Sequence, residues 1–141
     1  MQYHPSPVHD RQLILENDHV TLWYYPELKI VHHQMFQPPT PEEFRELLNT
    51  GAKTLERFRA IKWFSDDRGN TLLKPPEEEW ADVVWLPRVL SSGFKFWAIV
   101  LPMPAIGKLN MQRIAAHHAR HGVVSRIETM PHAAFEWLKA Q

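Results

Sequence analysis

The chain contains no cysteine, which excludes disulfides, thiolate metal sites and cysteine nucleophiles together. An excess of either charge is also missing: sixteen Lys and Arg balance sixteen Asp and Glu, for a formal net charge of +0 and a pI near 7.1. General nucleic-acid binders cluster cations that displace phosphate counterions, so an evenly charged surface and no nucleic-acid partner are expected. Long apolar runs are absent as well. The longest, Phe96 to Pro102, is far short of the roughly 20 residues needed by a membrane-crossing helix. The segment Met1-Gln-Tyr-His-Pro-Ser-Pro-Val-His-Asp10 has neither the cationic head nor the apolar middle of a secretory signal, so a cytoplasmic protein without a membrane span is expected. There is no Gly-x-x-x-x-Gly-Lys-Ser/Thr loop, no Gly-x-Gly-x-x-Gly and no Gly-x-Ser-x-Gly elbow. Nothing specifies a reaction, and the expectation is a non-enzymatic protein without a cofactor.

What is present is an ordinary globular composition, 44% hydrophobic and 23% charged. At 141 residues the chain is long enough to bury roughly 68–70% of its unfolded surface in one core. Residues 1–10, with Pro5 and Pro7, read as an extended lead-in, and residues 11–141 as a single domain without repeat or linker.

The periodicity predicts three opening strands. Gln12 to Glu16 and His19 to Tyr25 flank an Asn17-Asp18 turn and favour a hairpin. After Pro26-Glu27, Leu28 to Phe36 alternates, with Leu28, Ile30, His32, Gln34 and Phe36 on one face and Val31, His33 and Met35 on the other. Thr40-Pro-Glu-Glu43 is a capping box with proline at the first helical position. It opens a helix with an apolar face of Phe44, Leu47, Leu48, Ala52, Leu55 and Phe58. Ala60 to Phe64 reads as a strand running into an acidic loop.

Pro75-Pro-Glu-Glu-Glu79 starts a second helix, its carboxylates suited to the positive end of the dipole. Its expected inner face is Trp80, Val83, Val84 and Leu90, with Pro87 limiting or kinking it. Phe94 to Leu101 is near-continuously apolar, as in a strand covered on both faces. A helix over Asn110 to Arg120, a strand over Val123 to Thr129 and a helix over Pro131 to Leu138 complete the chain. An α/β domain with a mixed central sheet follows: antiparallel N-terminal hairpins, then β-α-β-α-β-α with parallel pairing, covered by about four helices.

The candidate site is the loop Ser65-Asp66-Asp67-Arg68-Gly69, at the carboxyl end of a strand where open α/β sheets meet their ligands. Adjacent carboxylates can share a proton, hold a hard cation, cap a turn or pair with arginine. Trp85, off the expected apolar face, reads as an exposed interface anchor, and with Arg88 would set a partner-binding surface beside this loop. His117, His118 and His121 place two imidazoles one helical turn apart, but Arg120 between them opposes a cation, and no metal is expected.

The whole pattern resembles the STAS domain of anti-sigma-factor antagonists and sulfate-transporter tails, and more narrowly small bacterial STAS-like proteins of unassigned function. The resemblance runs from about Leu13 to Leu138. It rests on Tyr25-Pro-Glu27, Pro41-Glu-Glu-Phe44, Lys62-Trp-Phe-Ser-Asp-Asp-Arg68, Trp80 to Pro87, Gly93 to Pro102 and Ala133 to Leu138. It implies protein recognition through the loop at 65–70 and the helix that follows. In antagonists, a serine or threonine after the strand-end aspartate is phosphorylated. Here Asp66 takes the aspartate position, and Asp67 or Arg68 falls where the hydroxyl belongs, with Ser65 and Thr71 only nearby. A fixed carboxylate cannot be switched, although Asp67 can mimic a permanently phosphorylated state. The alternative expectation is a small apolar, lipid-like ligand held between sheet and helices, where Met35, Met103 and Met111 would adapt to it. A protein partner or a homodimer is expected in the first case.

Overall fold

The computed structural model describes residues 9–70, 73–102 and 105–141; Thr71 and Met103 lie outside them. Six strands form one sheet whose spatial order is the order of the sequence. They are β1 (Gln12–Glu16), β2 (Val20–Tyr25), β3 (Ile30–Met35), β4 (Lys62–Asp66), β5 (Phe96–Val100) and β6 (Val124–Glu128). The first three pair antiparallel; β3 through β6 pair parallel. Asn17 builds the first turn, its side-chain oxygen accepting from the amides of His19 and Val20. Lys29, at φ 54, takes the left-handed position of the second turn.

Helix α1 (Pro41–Phe58) starts as the capping box requires, with Thr40 accepting from the Glu43 amide and Glu43 accepting from the Thr40 amide. Hydrogen bonds from Thr40 and His19 hold the Glu43 carboxyl below its usual range. The helix after β4 is not uniform. It runs as α2 (Pro75–Trp80), a five-residue π segment (Ala81–Trp85) and α3 (Leu86–Ser91). Within it the Leu86 amide bonds to the Ala81 carbonyl, five residues back. The wide turn sits directly before Pro87, whose ring in a regular helix would crowd the carbonyl of residue 83 and whose nitrogen donates nothing. Helices α4 (Ala105–Ala119) and α5 (Pro131–Lys139) follow β5 and β6. Counting α2, the π segment and α3 as one, four helices cover the sheet.

Strand alternation divides the core into two layers. On one face, Leu22, Tyr24, Val31, Met35, Trp63, Trp97 and Ile99 meet α1, the π segment, α3 and α4. On the other, Tyr25, Ile30, Phe64, Ala98 and Val100 meet Ala134, Phe135 and Leu138 of α5. As expected, β5 is buried on both sides.

The second helix corrects the sequence reading. Val83 and Val84 point to solvent, 63% and 55% exposed, whereas Trp85, Leu86 and Val89 are buried. The inward residues Glu77, Ala81, Trp85 and Val89 recur every fourth position, the wider winding that the π turn imposes. Trp85 is therefore not an exposed anchor. It is 7% exposed, its indole N–H donates to the Leu48 carbonyl at 2.8 Å, and its ring meets Trp63 edge-on at 5.4 Å.

Candidate functional site: a cavity at the carboxyl end of the parallel strands

Strand β4 continues two residues past Phe64, so Ser65 and Asp66 belong to the strand and only Asp67 opens the loop. A strand turns successive side chains to opposite faces, and the two aspartates are separated accordingly. Asp66, on the α5 side, is 1% exposed and takes Arg68 in a two-pronged pair, Nε to Oδ1 at 2.8 Å and Nη2 to Oδ2 at 2.7 Å. Asp67 points to the opposite layer and meets His33, Nε2 to Oδ1 at 2.6 Å. The carboxylates share neither a proton nor a cation. The two alternatives of adjacent acid–base chemistry and a joint cation site fail on strand geometry alone.

His33 occupies the β3 position opposite Ser65 and stands among Val31 and Met35 on the helical face. Its second nitrogen, Nδ1, accepts the indole N–H of Trp63 at 2.9 Å. An indole nitrogen only donates, so Nδ1 carries no proton. His33 is therefore the neutral Nε2–H tautomer, and it donates to Asp67. The indole is held in place by Gly51 of α1: a Cβ there would stand 2.0 Å from the Trp63 ring. The glycine lets helix and indole touch.

The loop is pinned in the same manner. The Gly69 amide donates to the Met35 carbonyl at 3.0 Å, and a Cβ at 69 would lie 2.2 Å from the Phe36 carbonyl oxygen. Only glycine lets the loop lie this close to the end of β3. The Asp67 amide donates to the Val100 carbonyl, tying the loop to β5 as well.

These residues border a cavity of about 80 Å³ between the sheet, α1, the π segment and α4. Its polar groups are His33, Ser65, Asp67, Asn70 and His118; Trp63, Trp85, Trp97, Met35 and Met111 are among its apolar walls. Ser65 accepts the indole N–H of Trp97 at 2.8 Å, and its own proton finds no acceptor among the described residues. His118 stacks on Trp97 with centroids 4.7 Å apart and shares a hydrogen bond through Nδ1 with the Ile114 carbonyl. A carbonyl only accepts, so Nδ1 bears the proton and Nε2 the lone pair. Burial pushes the His118 imidazole down to about 4, against the opposing pull of the Ile114 carbonyl, so it is neutral at pH 7.

A wider, more polar cleft of about 530 Å³ adjoins the cavity between α2 and α4, and shares Leu73, Ala81, Ile114 and His118 with it. Glu78 and Asp82 line this cleft, held by Arg113 and His117 across it.

The expected surface thus comes apart. Ser65, Asp66, Asp67 and Trp85 are buried; Arg68 and Gly69 are half-buried at the loop. Arg88 does not stand beside the loop. It pairs with Glu56 near the end of α1 at 2.9 Å, by the amino ends of the parallel strands. The helix runs away from the loop and carries it there. In the histidine cluster, His117 pairs with Asp82 and keeps its ring 5.2 Å from that of the exposed His121, one turn on, while His118 is buried. Among the described residues no group of three His, Asp or Glu is placed to hold a metal ion. No helix among them is long and apolar enough to cross a membrane.

Sequence reasoning missed His33, Trp63, Trp97 and His118 as members of the site. The β3 alternation placed His33 on the core face, and a lone histidine between Val31 and Met35 is a signal for a satisfied buried imidazole. Its partner lies 34 residues away, beyond any local pattern. No known protein family, curated protein or solved structure matches the chain.

Proposed function

We propose that this chain is a cytoplasmic, non-enzymatic ligand-binding module, and that its ligand occupies the cavity at the carboxyl ends of β3, β4 and β5. One observation carries the reading: Ser65, Asp67 and His118, all buried, converge with three tryptophans on one internal space that adjoins an open cleft. Few polar groups set precisely among aromatic walls are the usual make-up of a small-molecule site. The volume limits what enters. About 80 Å³ is roughly half of the ~150 Å³ that accommodates benzene in an engineered core, so the cavity suits a head group and not a lipid chain. The non-enzymatic reading is supported by His33, whose two nitrogens are both engaged. It has no lone pair to take a proton from Ser65.

A second reading, a STAS-type module that recognises a protein partner or a second copy of itself, is favoured by Val83 and Val84. They stand exposed on the outer side of the helix that follows the loop. Native mass spectrometry of the protein recovered gently from its own cells separates the two. Extra mass of a small molecule, lost on denaturation, is the expected result. A stoichiometric companion protein with no such mass would replace the first reading by the second.

A further inference from the structure

The charge inside the cavity is unbalanced. Asp67 brings a carboxylate, and its partner His33 is neutral because Trp63 fills Nδ1. His118, the other titratable group in the lining, is neutral too, and among the described residues no Lys or Arg lines the space. The second oxygen of Asp67 accepts nothing from the described residues. The neighbouring acid, Asp66, has its own arginine on the far side of the sheet and contributes nothing here. A buried carboxylate without a counter-charge is unfavourable, and a cation of the right size relieves it.

The walls suit the same occupant. Trp63 and Trp85 meet at 87°, Trp97 stands beside Trp63 on the neighbouring strand β5, and all three line the space with Met35 and Met111. Indole faces attract cations through their negative quadrupole, and several around one space can hold an alkylated ammonium group that water solvates poorly. The lone pair of His118 Nε2 adds an acceptor for an N–H where one is present. The adjoining cleft, where Arg113 and His117 already pair Glu78 and Asp82, gives room for whatever the head group is attached to.

We infer that the cavity is the receptor for a small organic cation, an alkylammonium head group, with Asp67 as its counter-ion and Trp63, Trp85 and Trp97 as its walls. This rests on the ligand-binding reading proposed above and names the chemistry of that ligand.

The test compares two probes of one shape, both smaller than benzene, ethylammonium and ethanol, at fixed ionic strength. Binding is followed by the indole N–H resonances of the tryptophans and by calorimetry. The expected result is that ethylammonium moves the Trp63 and Trp97 indole signals and binds at least ten times more tightly than ethanol. In Asp67→Asn the preference falls to nearly equal binding of the two. Equal binding of both probes by the unaltered protein would overturn the cation assignment while leaving a small-ligand site. Failure of both to move any indole signal at high millimolar concentration would overturn the ligand-binding reading along with it. The comparison on the unaltered protein decides the question even where Asp67→Asn does not fold.

Discussion

The two faces of this sheet are packed by the same chain to different ends. Under α5, Tyr25, Phe64 and Phe135 meet ring against ring, with Ala98, Ala134, Val100 and Leu138 filling between them, and the buried His32 and Asp66 on the same face of the sheet. Under α1, the π segment and α4, four histidine, serine and aspartate side chains share the layer with three tryptophans, and a cavity is left. Small and apolar residues close a helix onto a sheet. Indoles tethered by their N–H groups, as Trp63, Trp85 and Trp97 are to His33, Leu48 and Ser65, cannot shift to close a gap. On the second face, hydrogen-bond geometry decides the packing, and the space is its by-product.

Predictions from that contrast fall in order of size. Phe135→Ala empties the closed face, and a fully buried phenylalanine is worth about 3–5 kcal/mol of stability. Chemical denaturation should show that loss, while the Trp63 indole resonance, on the other face, stays in place.

Acid should act through the cavity face. The His118 imidazole lies at about 4 when folded against 6.5 when unfolded, so between those values the unfolded chain binds the extra proton. Its contribution is complete above about pH 6.5 and is lost as pH falls toward 4. At about 1.4 kcal/mol per pH unit the loss is on the order of 3 kcal/mol. Denaturation midpoints across this window should fall more steeply for the native chain than for His118→Gln.

Gly51→Ala forces a methyl into the Trp63 ring and should cost about 1–3 kcal/mol, as overpacked cores do. A displaced Trp63 indole N–H signal would accompany it; an unmoved signal would mean that α1 yields instead. Smallest is Arg88→Ala. Its pair with Glu56 is about one-third exposed on both sides, and such pairs contribute about 0–1 kcal/mol. A larger loss would show that the far end of the helix matters more than its geometry suggests.

Local chemistry in the sequence was enough for the strands, the capping box and the division of β3 into two faces, because each depends on neighbours within a few residues. The second helix was not legible in that way. A 3.6-residue period selects Trp80, Val83 and Val84, and the single wide turn before Pro87 rotates Trp85 inward instead. Proline announced a disturbance without announcing its kind. At the site, the strand period separates Asp66 from Asp67 once β4 is known to reach Asp66. The His33, Trp63 and Asp67 chain joins positions that only the register of β3 against β4 brings together, and one sequence carries no sign of that register beyond the topology itself.

The strand order has a consequence for how the molecule is made. Each strand lies beside the one synthesised just before it, so a chain emerging from the ribosome can extend its sheet one strand at a time. No gap waits for a later strand to be threaded in, and the loop closures are those of single hairpins and single crossovers, which keeps their entropic cost low. Among the described helices only α5, last to appear, lies on the other face and packs on strands already in place. The cavity layer can thus form before the chain is finished, and the C-terminal helix then seals the opposite side.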